Sequence, residues 1–285
     1  LEFASSIWHR VGSPRLTDLY ANIEVERNRA EQISLEIRKA YFLYETSQID
    51  LAMFLLDLLQ GVQLTDRVLL QQVQVRRLIL LTKMYLNRGR NAVAQKMLDT
   101  LLDSNVSDSE LGLELALLNA EAQMAFGNYY SALKFISATL NELEYQSVMT
   151  NLHTSTRLRL AKAKVLVKTG LPSKALPLVV QELRVSKKLG MMSLVVEGIV
   201  VLAAILNALE TPHDCYDLLE ASMPNIHLVG NDDLTAQAYY HFAISCWKLI
   251  STSGLVYRNK KLINQCLRFL NFAIDGFAKM LNLVL

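Results

Sequence analysis

Five histidines, three cysteines and one adjacent pair of carboxylates are where chemistry would be sought first in this 285-residue chain. His241 and Cys246 are five positions apart, which sets them about 140° apart around a helix, so they do not converge on one metal ion. His153, His213 and His227 fall near the ends of apolar periodic segments, where a solvent-facing or capping role is expected. Asp232 and Asp233 open such a segment, and the positive end of a helix dipole accounts for carboxylates there. A phosphate-cradling glycine loop, zinc-spaced cysteine pairs, His-Glu-x-x-His and a Gly-x-Ser-x-Gly elbow are all missing from the sequence. The reading is a chain without catalytic residues, cofactor or metal, and not an enzyme.

Cys215, Cys246 and Cys266 are odd in number and sit inside apolar runs, as reduced core thiols of an intracellular protein do. Arg157, Lys164 and Lys168 lie within about 40° of one another on a helix and form a cationic stripe beside its apolar face. The stripe has two readings, a solvated edge or a docking strip for an acidic partner segment. A net charge of +2 is too small and too dispersed to point to nucleic acid.

The elements that carry these residues repeat. In 157–189 an apolar run ends at Lys168-Thr169-Gly170, and Pro172 opens a second run. Gly tolerates the left-handed conformation that ends a helix, and Pro suits the first turn of the next, where its missing N–H has no intrahelical partner. Five residues after each such turn stands an anchor: Ala52, Ala94, Ala132, Ala175 and Cys215, following Ser47, Gly89, Gly127, Gly170 and Glu210. Twelve residues before each anchor stand Ala40, Thr82, Ala120, Ala163 and Ala203; four after stand Leu56, Leu98, Ile136, Val179 and Leu219. Anchors recur at intervals of 42, 38, 43 and 40 residues. A helix–turn–helix unit of that period, with apolar faces only neighbours can cover, predicts an all-α fold, an α-solenoid of about six hairpins forming a superhelix. The small-x11-small pattern resembles the tetratricopeptide repeat, although the unit is longer and lacks that family's aromatic and Pro positions. With 52% hydrophobic residues and only 11 Gly and 5 Pro, a helical reading is easy and a β-rich or disordered one is not.

Helices are expected over 48–60, 66–88, 91–103, 108–126, 129–145, 151–169, 172–189, 191–209, 212–223 and 234–250, with Pro224 stopping the 212–223 helix and Asn231 or Asp232 capping the one after it. Ser13-Pro14 starts a run to Glu45 whose polar middle, 24–32, is a candidate break. Asn105-Val106-Ser107 reads as a helix start, with Ser107 and Glu110 as a capping box, in preference to a glycosylation site. The apolar stretch 191–209 has Glu197 near its centre, at a cost of roughly 2.5 kcal/mol or more in lipid. It is therefore a buried solenoid helix, and no membrane is involved. In the last pair, Ala243 is the small residue and Cys266 the anchor, 23 residues on instead of twelve, so that hairpin carries about eleven extra residues, with 251–254 opening the connection and a helix starting near Asn259. Residues 1–285 are read as one helical-repeat domain. The chain opens without Met and is taken as a fragment of a larger protein.

Over residues 155–282 the sequence resembles the fifth-subunit family of the anaphase-promoting complex, the ubiquitin ligase of the cell cycle. Ala175-Leu176-Pro177-Leu178, Ser186-Lys187-Lys188-Leu189-Gly190, the 191–209 helix, Ala238-Tyr239-Tyr240-His241-Phe242-Ala243, Asn259-Lys260-Lys261 and the 267–272 stretch carry the likeness. The resemblance implies a non-catalytic platform subunit in a hetero-oligomer. Such a subunit helps hold the large first and fourth subunits and the repeat-protein arm, in nucleus and cytoplasm, while other chains transfer ubiquitin. The alternative is a peptide-binding adaptor of tetratricopeptide type or a helical subunit of another large regulatory complex. The final hairpin, 251–285, keeps Leu267, Leu270, Phe272, Ile274, Phe277 and Met280 around more than one face, more than one preceding pair can cover. It is expected to be an interaction end, with Phe277 and Met280 as its partner-binding residues.

Overall fold

The computed structural model describes residues 29–59, 67–103, 109–145, 152–252 and 260–282. Among them all regular structure is helical: α1 (Arg29–Glu45), α2 (Ile49–Leu58), α3 (Arg67–Asn87), α4 (Asn91–Asp103), α5 (Ser109–Ala125), α6 (Tyr129–Tyr145), α7 (Leu152–Lys168), α8 (Pro172–Lys188), α9 (Met192–Ala208), α10 (Pro212–Val229), α11 (Asp232–Thr252) and α12 (Lys260–Asn282). The fold class is all-α, of the helical-hairpin-repeat kind. The Ser13-Pro14 start, most of the polar stretch after it, the Ser107 capping box and 253–259 of the long connection lie outside the described residues.

Local chemistry closes each hairpin in the same way. Ser47, Gly89, Gly127, Gly170 and Glu210 all take positive φ, between 61° and 78°. The N–H of the residue after each donates to the carbonyl five back: Gln48 to Leu43, Arg90 to Tyr85, Asn128 to Gln123, Leu171 to Leu166 and Thr211 to Leu206. This satisfies carbonyls that a helix end leaves open and reverses the chain in a fixed geometry. Ser47 and Glu210 hold the left-handed conformation without glycine's freedom, at a cost of roughly 1–2 kcal/mol each.

The fixed turn brings the small residues together. Ala40, Thr82, Ala120, Ala163 and Ala203 are fully buried, and so are the anchors Ala52, Ala132, Ala175 and Cys215 opposite them, with Ala94 nearly so. The Cys215 thiol donates to the Ala203 carbonyl at 3.4 Å. In the last hairpin the Cys266 thiol donates to the Ala243 carbonyl at the same 3.4 Å. The contact made across twelve residues is thus remade across 23, and the longer connection leaves the helix register intact.

Contacts group the chain into two compact units, Leu1–Leu158 and Arg159–Leu285. In the first, Leu56 of α2 packs with Leu80, Leu81 and Met84 of α3, and Leu98 and Leu101 of α4 with Leu111, Leu115 and Leu118 of α5. In the second, Val195, Val196 and Ile199 of α9, Leu219 and Ile226 of α10, and Ala238 and Phe242 of α11 share one core. Each such Leu or Ile contributes about 1.5–3 kcal/mol by burial. Among the described residues no helix is long and apolar enough to cross a membrane, and α9 is the buried helix its composition implied.

Two boundaries differ from expectation. Pro224 does not stop α10, which runs on to Val229 and ends at Gly230 in the left-handed conformation. Pro224 is exposed, so the carbonyl it leaves unbonded faces water, while Ser222, Ile226 and Val229 bury the opposite side. Ser251 and Thr252 belong to α11 and not to the connection after it. Asn231 is the cap: its Oδ1 accepts the Leu234 N–H at 2.9 Å.

Candidate functional site

The first helices of the hairpins in the C-terminal unit carry a belt of polar groups. Lys164 of α7 donates to Glu197 of α9 at 2.7 Å. On α11, Gln237 donates to Asp233 at 2.9 Å, and burial raises the Asp233 carboxyl above its ordinary range against the opposing pull of Gln237 and Lys164. One turn on, burial, aided by the Lys168 charge, lowers His241 to about 4, so its ring is neutral at pH 7. Asn207 of α9 donates to the His241 carbonyl at 3.0 Å, and Ser245 donates to the Asn207 side chain at 3.2 Å. Lys248 donates to the Asn207 carbonyl and to Glu210. The belt ties α11 to α9 and α9 to α7 by charge-assisted bonds.

The three cations of the stripe have different surroundings. Arg157, in the N-terminal unit, meets Glu45 at 3.0 Å. Lys164 and Lys168 belong to the C-terminal unit, Lys164 on Glu197 and Lys168 exposed at the end of α7. Two of the three cations therefore spend their charge on carboxylates of this chain. The partners Glu45 and Glu197 were not legible beforehand, since neither is near its cation in sequence.

The remaining candidates separate. His153 is buried rather than solvent-facing, because the first turn of α7 packs inward at Thr154, Ser155 and Thr156 as well. His213 is exposed, and His227, also exposed, lies 3.1 Å from the Tyr239 hydroxyl. Cys215 and Cys246 are fully buried free thiols, pushed up by burial to about 11 and about 12. Cys266 is only partly buried, against the expectation of a core thiol, because the outer side of α12 has no described helix over it. Among the described residues no group of three or more His, Cys, Asp or Glu side chains could hold a metal ion.

Large apolar side chains stand open on the last hairpin. Leu267, Leu270 and Ile274 of α12 are 53%, 40% and 54% exposed, and Trp247 of α11 is 64% exposed. Phe277 is half-buried, and the Met280 side chain lies outside the described residues. Among the described residues the large apolar side chains exposed on α12 are Leu267, Leu270, Phe272 and Ile274. A signal was present: Leu270 stands four past the anchor Cys266, where every other hairpin has a core residue.

No family model and no curated protein matches the chain. Among solved structures it is similar to the crystal structure of a Rap protein complexed with competence and sporulation factor. The TM-score is 0.61 at 14% identity, over 88% of this chain and 67% of that one. At that identity the likeness is one of fold, a tetratricopeptide-like helical repeat.

Proposed function

We propose that this chain is a non-catalytic scaffold subunit of a multiprotein assembly, and that the assembly is the anaphase-promoting complex. The observation that carries the scaffold reading is the open apolar surface of α12, since exposed Leu and Ile grouped on one helix mark protein contact more than solvation. The polar belt supports it too: its charges are engaged in holding helices together. The finer identification rests on the resemblance over 155–282, whose residues Ala175, Ala238, Phe242 and Ala243 are core. It brings with it a hetero-oligomer in nucleus and cytoplasm, with ubiquitin transfer left to other chains.

The test is to purify the full-length protein from its own cells and identify by mass spectrometry what remains at constant stoichiometry. Ubiquitin-ligase subunits are expected. Another stable assembly would overturn only the identification, and a chain that elutes alone would overturn the scaffold reading.

A second reading, a peptide-binding adaptor, is favoured by one observation: the similar solved structure is complexed with a factor. On that reading the belt of Lys164, Glu197 and Gln237 would be the docking surface. Lys164→Ala and Gln237→Ala would then release partners while changes on α12 would not.

A further inference from the structure

The first helices of the N-terminal unit share one register. Eleven residues before the anchors stand Tyr41, Lys83 and Glu121; eighteen before stand Arg76, Glu114 and Arg157, about two turns earlier on the same face; Glu45 stands seven before its anchor. The Tyr41 hydroxyl of α1 donates to the Arg76 carbonyl of α3 at 3.3 Å and to the Glu114 carboxylate of α5 at 3.2 Å. Burial, with the Glu114 charge beside it, raises the Tyr41 hydroxyl well above its ordinary 10, so it keeps its proton. Glu45 of α1 meets Arg157 of α7 at 3.0 Å, with side chains only 11% and 24% exposed. Lys83 is buried, whereas Lys164, which holds the same register on α7, is half-buried.

In a solenoid each repeat contacts its neighbours. α1 packs on α3 and α3 on α5 in that way. Three such steps of about 8–10 Å laid in a row would set α1 and α7 on the order of 25 Å apart, far beyond the reach of an Arg–Glu pair. The bridges from α1 to α5 and from α1 to α7 therefore require the inner sides of these helices to close on one another. We propose that the Glu45–Arg157 pair, backed by Tyr41 and Glu114, is a latch that holds the inner face of the N-terminal unit shut and opens without unstacking neighbouring hairpins. The stacks rest on other residues: Ile33 and Ile37 of α1 on Val73 of α3, and Val75 and Ile79 of α3 on Leu111 and Leu115 of α5. The latch is charge against charge, and its attraction falls once water and salt reach it. In the C-terminal unit the corresponding bonds join neighbours, Lys164 to Glu197 and Asn207 to the His241 carbonyl. Opening the latch uncovers Lys83, Glu114 and Arg157, so a partner segment reaches this face only in the unlatched state. The latch goes beyond the scaffold and adaptor readings and is independent of which of them holds.

The experiment introduces a spin-labelled amino acid by codon reassignment at Gln48 and Leu152 of the full-length protein, both exposed and close in sequence to the latch, and reads their separation by double electron–electron resonance. The wild-type protein is expected to give one narrow distance distribution. Glu45→Gln is expected to add a population longer by about 10 Å, one helix diameter, and Glu45→Arg combined with Arg157→Glu to restore the narrow distribution. Tyr41→Phe keeps the ring and loses only the hydroxyl; it is expected to give a smaller long-distance population, and it stands as the test should Glu45→Gln not fold. A control pair at Gln48 and Arg90, in neighbouring hairpins, is expected to keep its distance in every variant. An unchanged distance between positions 48 and 152 in both Glu45→Gln and Tyr41→Phe would overturn the inference, as would a wild-type protein already spread over long distances. Lengthening of the control distance would overturn it too, because the hairpins would then be unstacking and not unlatching. Failure of the exchanged charge pair to restore the wild-type distribution would have the same force.

Discussion

α10 and α12 hold the same place in successive hairpins, and each carries a leucine four residues past a cysteine anchor. Leu219 is sealed and Leu270 is open; Cys215 is closed and Cys266 partly open. Yet the two thiols make the same bond, at the same distance, to the small residue opposite. The difference therefore does not come from how each hairpin closes on itself. It comes from what lies on top: α11 crosses α10, and among the described residues no helix crosses α12. In a repeat of this kind the turn decides the pairing within a hairpin, and the following hairpin decides whether its second helix is core or surface.

The largest effect expected from this contrast is at the two leucines. Leu219→Ala should cost ~2–5 kcal/mol of unfolding free energy in the purified chain, as a buried leucine does, and Leu270→Ala within about 1 kcal/mol. Urea titration of both variants measures it, and equal losses would mean that α12 is as covered as α10.

A slightly smaller effect belongs to His241, on the side of α11 that faces α9. Its folded pKa is about 4, below its ordinary 6.5, so between these values the unfolded chain takes up a proton that the folded chain refuses. Stability is therefore full above about pH 6.5 and falls as the pH drops toward 4, by up to about 3 kcal/mol. Asp233, whose carboxyl is raised, works in the opposite sense, losing stability as the pH rises through the range just above 3.8. His241→Gln should remove the histidine slope from a pH series of denaturation midpoints; an unchanged slope would assign it elsewhere.

Ala203→Leu and Ala243→Leu should each cost about 1–3 kcal/mol by overpacking the hairpin contact. Similar losses by thermal unfolding are the expected result, because the contact is the same with the short connection and with the long one. A much milder effect at Ala243 would show that the last hairpin is looser.

The smallest perturbation is chemical. A thiol reagent under native conditions should label Cys266 well before Cys215 and Cys246, because burial raises all three thiols but leaves only Cys266 partly accessible. Simultaneous labelling of all three would erase the distinction between the two hairpins.

The spacing of small residues and turns was enough to locate the hairpins. Among the described residues, the five expected to turn the chain are the within-hairpin positions with positive φ, and the displaced anchor Cys266 meets Ala243 as its offset required. These features are local: a left-handed residue and the bonds that follow it involve groups at most five positions apart. Pro224 shows where local reasoning stops. Its ring forbids one hydrogen bond, but the apolar contacts of Ile226 and Val229 lie with other helices and carry α10 past it. The partners of Arg157 and Lys164 and the burial of His153 were likewise invisible in the sequence, since each depends on residues brought close only when hairpins stack. The sequence by itself determined the pairing of helices, because that is written in neighbouring backbone and small side chains. Only the tertiary structure decided which faces are covered and which charges are spent, because both are set by residues far away along the chain.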